Sequence, residues 1–323
     1  MTALALRLTQ SRRYIPSGAL LGLVLLLVFN VAFTQNFLSI QTFNINLTQV
    51  STIVIVAVGM TMVIATGGID LSVGSLMAIS GALAPLIFGA NSGPFANPVV
   101  GMIGAIILPI LAAALGGVLN GTLVTRFRIQ PIVATLILFI AGRGVAQVMT
   151  NGNLQTFNNE EFRWLGLGKV LGLPVQVWLM LVTVAAAAWI MRSTLFGRYI
   201  LATGGNERAA RLAGVPVARI KLAVYVICGA LSGLAGLLVI AINSSADANL
   251  IGMGIELDAI AAVAVGGTLL TGGRARILGT LIGALIIQMV RYTLLAHGVP
   301  DAAALVVKAA IILAAVYLQK RES

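Results

Sequence analysis

Polar residues are scarce in this chain, and the largest group of them is basic. Residues 192–221, RSTLFGRYILATGGNERAARLAGVPVARIK, hold Arg192, Arg198, Arg208, Arg211, Arg219 and Lys221 against one acid, Glu207. Such a basic excess over a single acid has the chemistry of charge and docking. Its middle, 206–214, predicts a short helix. Asn206 is a good N-cap, Glu207 suits the positive end of the dipole, Ala209, Ala210 and Ala213 favour helix, and Gly214 ends it. With alanines on one side and arginines such as Arg211 on the other, that helix makes a compact knob for the groove of a soluble partner.

The second group is TGGIDLSVG, residues 66–74. Gly67 and Gly68 can end one helix, and Asp70 or Ser72 can cap the next by accepting its free N–H groups. An acid this close to apolar runs is costly without a role, so the other reading makes Asp70 a gating or coupling residue at the inner mouth of a passage. Arg143 and Gln147 lie one turn apart in AGRGVAQVMTNG. Arg143 either snorkels or pairs with another helix, or it lines a polar path with Gln147, Asn120 and Asn46. Amides and hydroxyls with few charges would suit a neutral polyhydroxylated solute, which needs hydrogen bonds and no counter-ion. Asp247, Glu256 and Asp258, in SSADANLIGMGIELDAI, read as a solvated acidic loop or as a docking edge for a basic external protein.

Several chemistries are excluded. GTLLTG at 267–272 continues Gly273-Arg274 where a phosphate-binding loop needs Lys and Ser or Thr, so the chain carries no nucleotide site of that type. Cys228 is the lone cysteine and His297 the lone histidine, which gives no disulfide, no metal site and no nucleophile–base pair.

The elements that must position these residues are membrane spans. Of 323 residues, 59% are hydrophobic and 9% charged, where soluble proteins carry roughly 25% charged residues. A crossing takes about 20 apolar residues, and ten stretches qualify: 18–34, 45–65, 73–90, 98–125, 131–149, 175–191, 222–242, 259–271, 277–296 and 302–318. The last but two is short and rich in glycine, which fits a re-entrant or broken helix. With the N-terminus inside, 15 of the 20 Lys and Arg fall in segments on the cytoplasmic side. Only Arg163 and Lys169 fall outside, and Arg143, Arg291 and Lys308 lie within spans. The charge of +11 therefore orients the chain, and a nucleic-acid partner is not needed to account for it. The expectation is an all-α polytopic membrane protein of about ten helices, some broken, with both termini cytoplasmic and residues 1–323 forming one unit. Glycine pairs at 18/22, 117/121, 229/233 and 279/283 predict close helix contacts.

GMTMVIATGGIDLSVGSLMAISG from Gly59, ATLILFIAGRGVAQ from Ala134 and the NERAARLAG segment together resemble the permease subunits of ribose-type bacterial ABC sugar importers. ADANLIGMGIELDAIAAVAVGG from Ala246 and TFNNEEF from Thr156 look most like one of the two galactofuranose importer permeases. The resemblance implies a permease in the inner membrane, not an enzyme and without a cofactor of its own. Its implied partners are membrane lipid, a cytoplasmic ABC ATPase, a second permease that is a paralogue or a copy, and a periplasmic sugar-binding protein. The family's coupling helix falls on Ala209, Ala210 and Gly214, but Arg208 occupies the place of its acid, with Glu207 one residue earlier. Two other readings remain, an ion-coupled carrier using Asp70 or Arg143 and a membrane scaffold without a polar path.

Overall fold

The computed structural model describes residues 17–89 and 92–322. Arg7, Arg12 and Arg13, and the end of the expected 73–90 span, lie outside the described residues. The first helices are α1 (Ser17–Phe33), α2 (Ile40–Ala65), α3 (Val73–Phe88), α4 (Pro98–Thr125) and α5 (Pro131–Met149). A peripheral section comes next, with β1 (Gln155–Thr156), α6 (Glu160–Leu167), β2 (Lys169–Val170) and β3 (Leu173–Pro174). The second half has α7 (Val175–Ser193), α8 (Leu195–Gly205), α9 (Glu207–Leu212), α10 (Val217–Asn243), β4 (Ser245–Ala246), α11 (Ile255–Val265), α12 (Ile277–Ala296) and α13 (Asp301–Glu322). The strands are clips two residues long: β1 pairs antiparallel with β4, and β2 with β3.

Six of the described helices, α2, α4, α5, α7, α10 and α12, are long and apolar enough to cross a membrane. α1 and α3 are apolar but shorter, at 17 and 16 residues. The expected 259–271 span is not one helix. α11 begins earlier, at Ile255, and stops at Val265, where Gly266 and Gly267 turn the chain with Gly267 at φ +78°. Its 11 residues give a rise of about 16 Å, half of the roughly 30 Å hydrocarbon thickness. Non-helical backbone after such a half-helix survives at membrane depth only where protein or water surrounds it.

α2 is the axis of the bundle. Residues 50–65 are all buried, and α7, α10, α11 and α12 pack around them. The Thr61 and Thr280 hydroxyls meet at 2.8 Å, joining α2 to α12 inside the core. At one end, the Gly273 N–H donates to the carbonyl of Ala65 at 3.0 Å, which brings the end of α2 to the segment carrying Arg274 and Arg276. A cavity lined by Arg128, Gln130, Glu207, Arg211 and Lys221 sits at this basic end too. Segments far apart in sequence thus collect their arginines in one place.

Between helices in lipid the hydrophobic effect supplies little, because the tails are as apolar as leucine; close backbone packing takes its place. Three of the four glycine pairs serve this. A Cβ on Gly229 would lie 2.5 Å from the Ala113 carbonyl of α4, and one on Gly233 would lie 2.7 Å from the Ala113 methyl. One on Gly121 would lie 2.7 Å from Leu222 of α10, and Gly279 and Gly283 meet Gly266 and Ala262 of α11. Gly18 and Gly22 face open space. Gly233→Leu should therefore destabilise the protein by about 2 kcal/mol through overpacking, and Gly22→Leu should not. Thermal unfolding of the detergent-solubilised protein followed by size-exclusion chromatography checks both.

Candidate functional site

α9 stands at the basic end. The Asn206 side chain accepts from the Ala209 N–H at 3.0 Å, the cap that its sequence predicts. Gly214, at φ +80°, carries the chain out of the helix, its N–H donating to Arg211 O at 3.0 Å. Ala210 alone is buried, and Leu212 is 91% exposed. Ala209 and Arg211 lie on the exposed surface. Glu207 accepts from Arg211 within the helix and from Lys221 of α10, both at 2.6 Å. The Lys221 hydrogen bond, and after it Arg211, hold the Glu207 carboxyl below the usual carboxylate range against the opposing effect of partial burial, so the carboxylate is ionised at neutral pH.

Deeper in the bundle, Gly67 and Gly68 turn the chain out of α2. Gly67 takes φ +82°. A Cβ on Gly68 would lie 2.6 Å from the Tyr225 hydroxyl, so only glycine leaves room for that ring. Asp70 comes next, fully buried. Its Oδ1 accepts from the Ser72 N–H at 2.9 Å, the Ser72 hydroxyl at 2.6 Å and Asn120 Nδ2 at 3.3 Å, and Asn120 also donates to Ser72 Oγ at 2.8 Å. Cys228 of α10 lies beside the same carboxyl. Ser72 makes no side-chain cap; Asp70 takes the N–H at the entry to α3 in its place. The expected capping and mouth residues are therefore one cluster that ties the α2–α3 turn to α4 and α10.

Arg143 is elsewhere. Its Nη1 donates to the carbonyls of Ala248, at 2.8 Å, and Ile251, and its Nη2 to Gly74 at 3.4 Å. Gln147 donates to Asn249 at 2.8 Å. These bonds hold the segment before α11 against the first turn of α3, where a Cβ on Gly252 would lie 2.5 Å from the Gly74 carbonyl. Asn46 joins a third group: Gln288 of α12 donates to Asn46 at 3.2 Å and to Gln49 at 2.7 Å. Beside it lies a cavity of about 360 Å³ lined mainly by apolar residues, Phe37, Phe43 and Met289 among them. The four residues expected to share one polar path thus occupy three separate sites, and Asn120 and Arg143 bind backbone and side chains of the bundle itself.

The acidic edge is corrected more sharply. Glu256 and Asp258 are 8% and 7% exposed, because they fall in the first turn of α11, which is sunk into the bundle. Asp258 pairs with Lys308 of α13 at 2.6 Å, which also gives that intramembrane lysine its partner. Glu256 lies beside Gly74 and within electrostatic reach of Arg143. Only Asp247 remains near the surface, where it accepts from the Asn249 N–H at 2.9 Å. Sequence reasoning missed Lys221 as the partner of Glu207, Tyr225 and Cys228 as neighbours of Asp70, and Gln288. Leu212 offered a signal, as a large apolar residue in a polar helix.

A bundle with half-helices, internally paired charges and one short helix left outside its core defines a polytopic permease. Residues 41–316 match the family described as the permease component of the branched-chain amino acid transport system. The chain is 44% identical over 309 residues to the ribose import permease protein of Escherichia coli K12, covering 94% of this chain and 93% of the relative. It is 43% identical over 275 residues to the galactofuranose transporter permease protein of the same strain, covering 85% and 78%. To the L-arabinose ABC transporter permease protein of Azospirillum brasilense it is 36% identical over 298 residues, covering 90% and 85%. No solved structure matches. The chain belongs to this permease family and is a multi-pass membrane protein.

The Asp70 cluster yields a prediction. Among the described residues no basic side chain pairs with Asp70, so its acceptor oxygen, and not its charge, orders the turn. Asp70→Asn keeps an acceptor and should leave the unfolding temperature close to the wild type. Asp70→Leu strands the Ser72 and Asn120 donors and should cost about 2 kcal/mol, read by the same thermal assay.

Proposed function

We propose that this chain is the permease subunit of an ATP-driven importer that carries a monosaccharide across the bacterial inner membrane. The family description alone names amino acid transport, whereas the relatives named above carry ribose, galactofuranose and arabinose in their names, at up to 44% identity over nearly the whole chain. Those relatives favour a pentose or a furanose. The observation that carries the ATP-driven reading is α9, a capped six-residue helix outside the core with an apolar side chain presented at its tip.

In this reading the basic end is cytoplasmic, since Lys and Arg concentrate on that side. Both termini lie there, and the ten expected stretches include α11 as a broken crossing. An ATPase subunit closes on α9 through Asn206, Ala209, Arg211, Leu212 and the turn at Gly214, with Ala210 seating the helix on the bundle, and supplies the ATP hydrolysis. A second permease completes the pathway, and a periplasmic sugar-binding protein delivers the solute at the opposite end, with Asp247 as the acid left available to meet it. Closure of the ATPase shifts the bundle between two accessible states only because it binds one of them better.

An ion-coupled carrier is the second reading, favoured by one observation, the buried Asp70 without a basic partner among the described residues. Uptake that survives collapse of the proton gradient but not ATP depletion speaks against it.

The proposal predicts the side and the role of Leu212. A cysteine at Ala213 in an otherwise cysteine-free chain should react with a membrane-impermeant reagent in inverted vesicles and not in intact spheroplasts. Leu212→Asp should lower retention of the ATPase on the purified permease by about tenfold, the loss of one well-buried apolar anchor. Labelling from the periplasm, or undiminished retention, contradicts it.

A further inference from the structure

The one carboxylate of α9, Glu207, ties that helix to its neighbour. Glu207 reaches Lys221 at 2.6 Å, and Lys221 is well shielded, with 17% of its side chain exposed. Apart from its short chain connections to α8 and α10, little else fixes α9 to the bundle: Ala210 is its single buried residue, and a cavity of about 290 Å³ lies behind it, lined by Arg128, Gln130 and the Glu207, Arg211 and Lys221 side chains. A push on α9 therefore has room to move it, and the ionic contact is its stiff link to α10.

Along α10, Lys221, Tyr225 and Cys228 stand at i, i+4 and i+7, one face of a helix. The last two border Asp70, Tyr225 through the space left by Gly68 and Cys228 through its position beside the carboxyl. The same face thus begins at the coupling helix and ends at the mouth cluster. α10 is 27 residues long and packs against α3, α4 and α2, so displacement of its first turn is passed along a rigid element.

We propose that Glu207 is a positioning residue for transport, a strut that makes α9 move with α10 and so works the Asp70 turn, and not a contact with the ATPase. This inference rests on the ATP-driven reading above and deepens it. The Glu207 side chain is 38% exposed, so solvent still screens the pair and it adds little to stability; the strut's contribution lies in transmission, the coupling of two sites through one element.

The test uses the assembled importer in proteoliposomes, this chain with its ATPase, second permease and binding protein, and a labelled mixture of ribose, arabinose and galactofuranose. The readout is sugar delivered per ATP hydrolysed, which a purely structural role would not change once protein amount is equalised. Glu207→Gln and Lys221→Gln should each lower this ratio by about tenfold, within the usual range of coupling between sites. The double charge swap, Glu207→Lys with Lys221→Glu, should recover at least half of it. The swap also covers the case in which the single variants fail to fold: assembled and transporting, it supports the strut; assembled without transport, it overturns it. Wild-type ratios in both single variants overturn this inference alone, whereas a wild-type complex with no ATP-dependent uptake overturns the proposed function and this inference with it.

Discussion

A polar group at membrane depth has no water to fall back on, and that constraint organises this structure. Asp70 collects donors from Ser72 and Asn120, Arg143 collects carbonyls from two segments, and Asp258 meets Lys308. Except for Asp70 with Ser72, each of these contacts joins elements distant in sequence and is also a fastening of the bundle. The break after α11 is tolerable for the same reason: Gly266 packs on Gly279 of α12, and the Gly273 N–H donates to the Ala65 carbonyl of α2. Glycine completes the fastening by letting backbones approach where burying apolar side chains from lipid gives no gain.

Most buried polar groups bond within the bundle, while Asp70 Oδ2, Asn120 Oδ1 and Gln288 Oε1 have no hydrogen-bond partner among the described residues, and the exposed polar groups open to other molecules lie at its two ends. At the basic end these are α9 and its arginines; at the opposite end, the surface around Asp247 and Asn249. Between them, Asn46, Gln49 and Gln288 form a charge-free amide group near one cavity.

Much of the helical order was legible in the sequence. Apolar runs marked the helices, Asn206 and Gly214 marked both ends of α9, and the basic loops near Arg128, at 207–221 and near Arg274 meet at one end of the bundle. What local pattern could not supply was depth. α11 reads as a span by composition, but its 11 residues and the acids of its first turn place those acids inside, where Lys308 lies 50 residues away along the chain. Arg143 and Asn120 were assigned to one path because both are polar within apolar runs; their partners, 105 and 50 residues distant, decide where each sits. The Glu207–Lys221 pair, 14 residues apart across a turn, has no periodicity that reveals it. Galactofuranose-like motifs were legible too, and the relatives place ribose and galactofuranose permeases at nearly equal identity.

The central claim is that this polypeptide conducts nothing until a partner on its basic end drives it. Flux of labelled ribose and arabinose into liposomes holding the purified chain alone, compared with liposomes holding the complete importer and ATP, tests that most directly. The account predicts a sealed membrane in the first case and accumulation above the external concentration in the second. Sugar entry through the chain alone, or accumulation that persists without ATP, would contradict it.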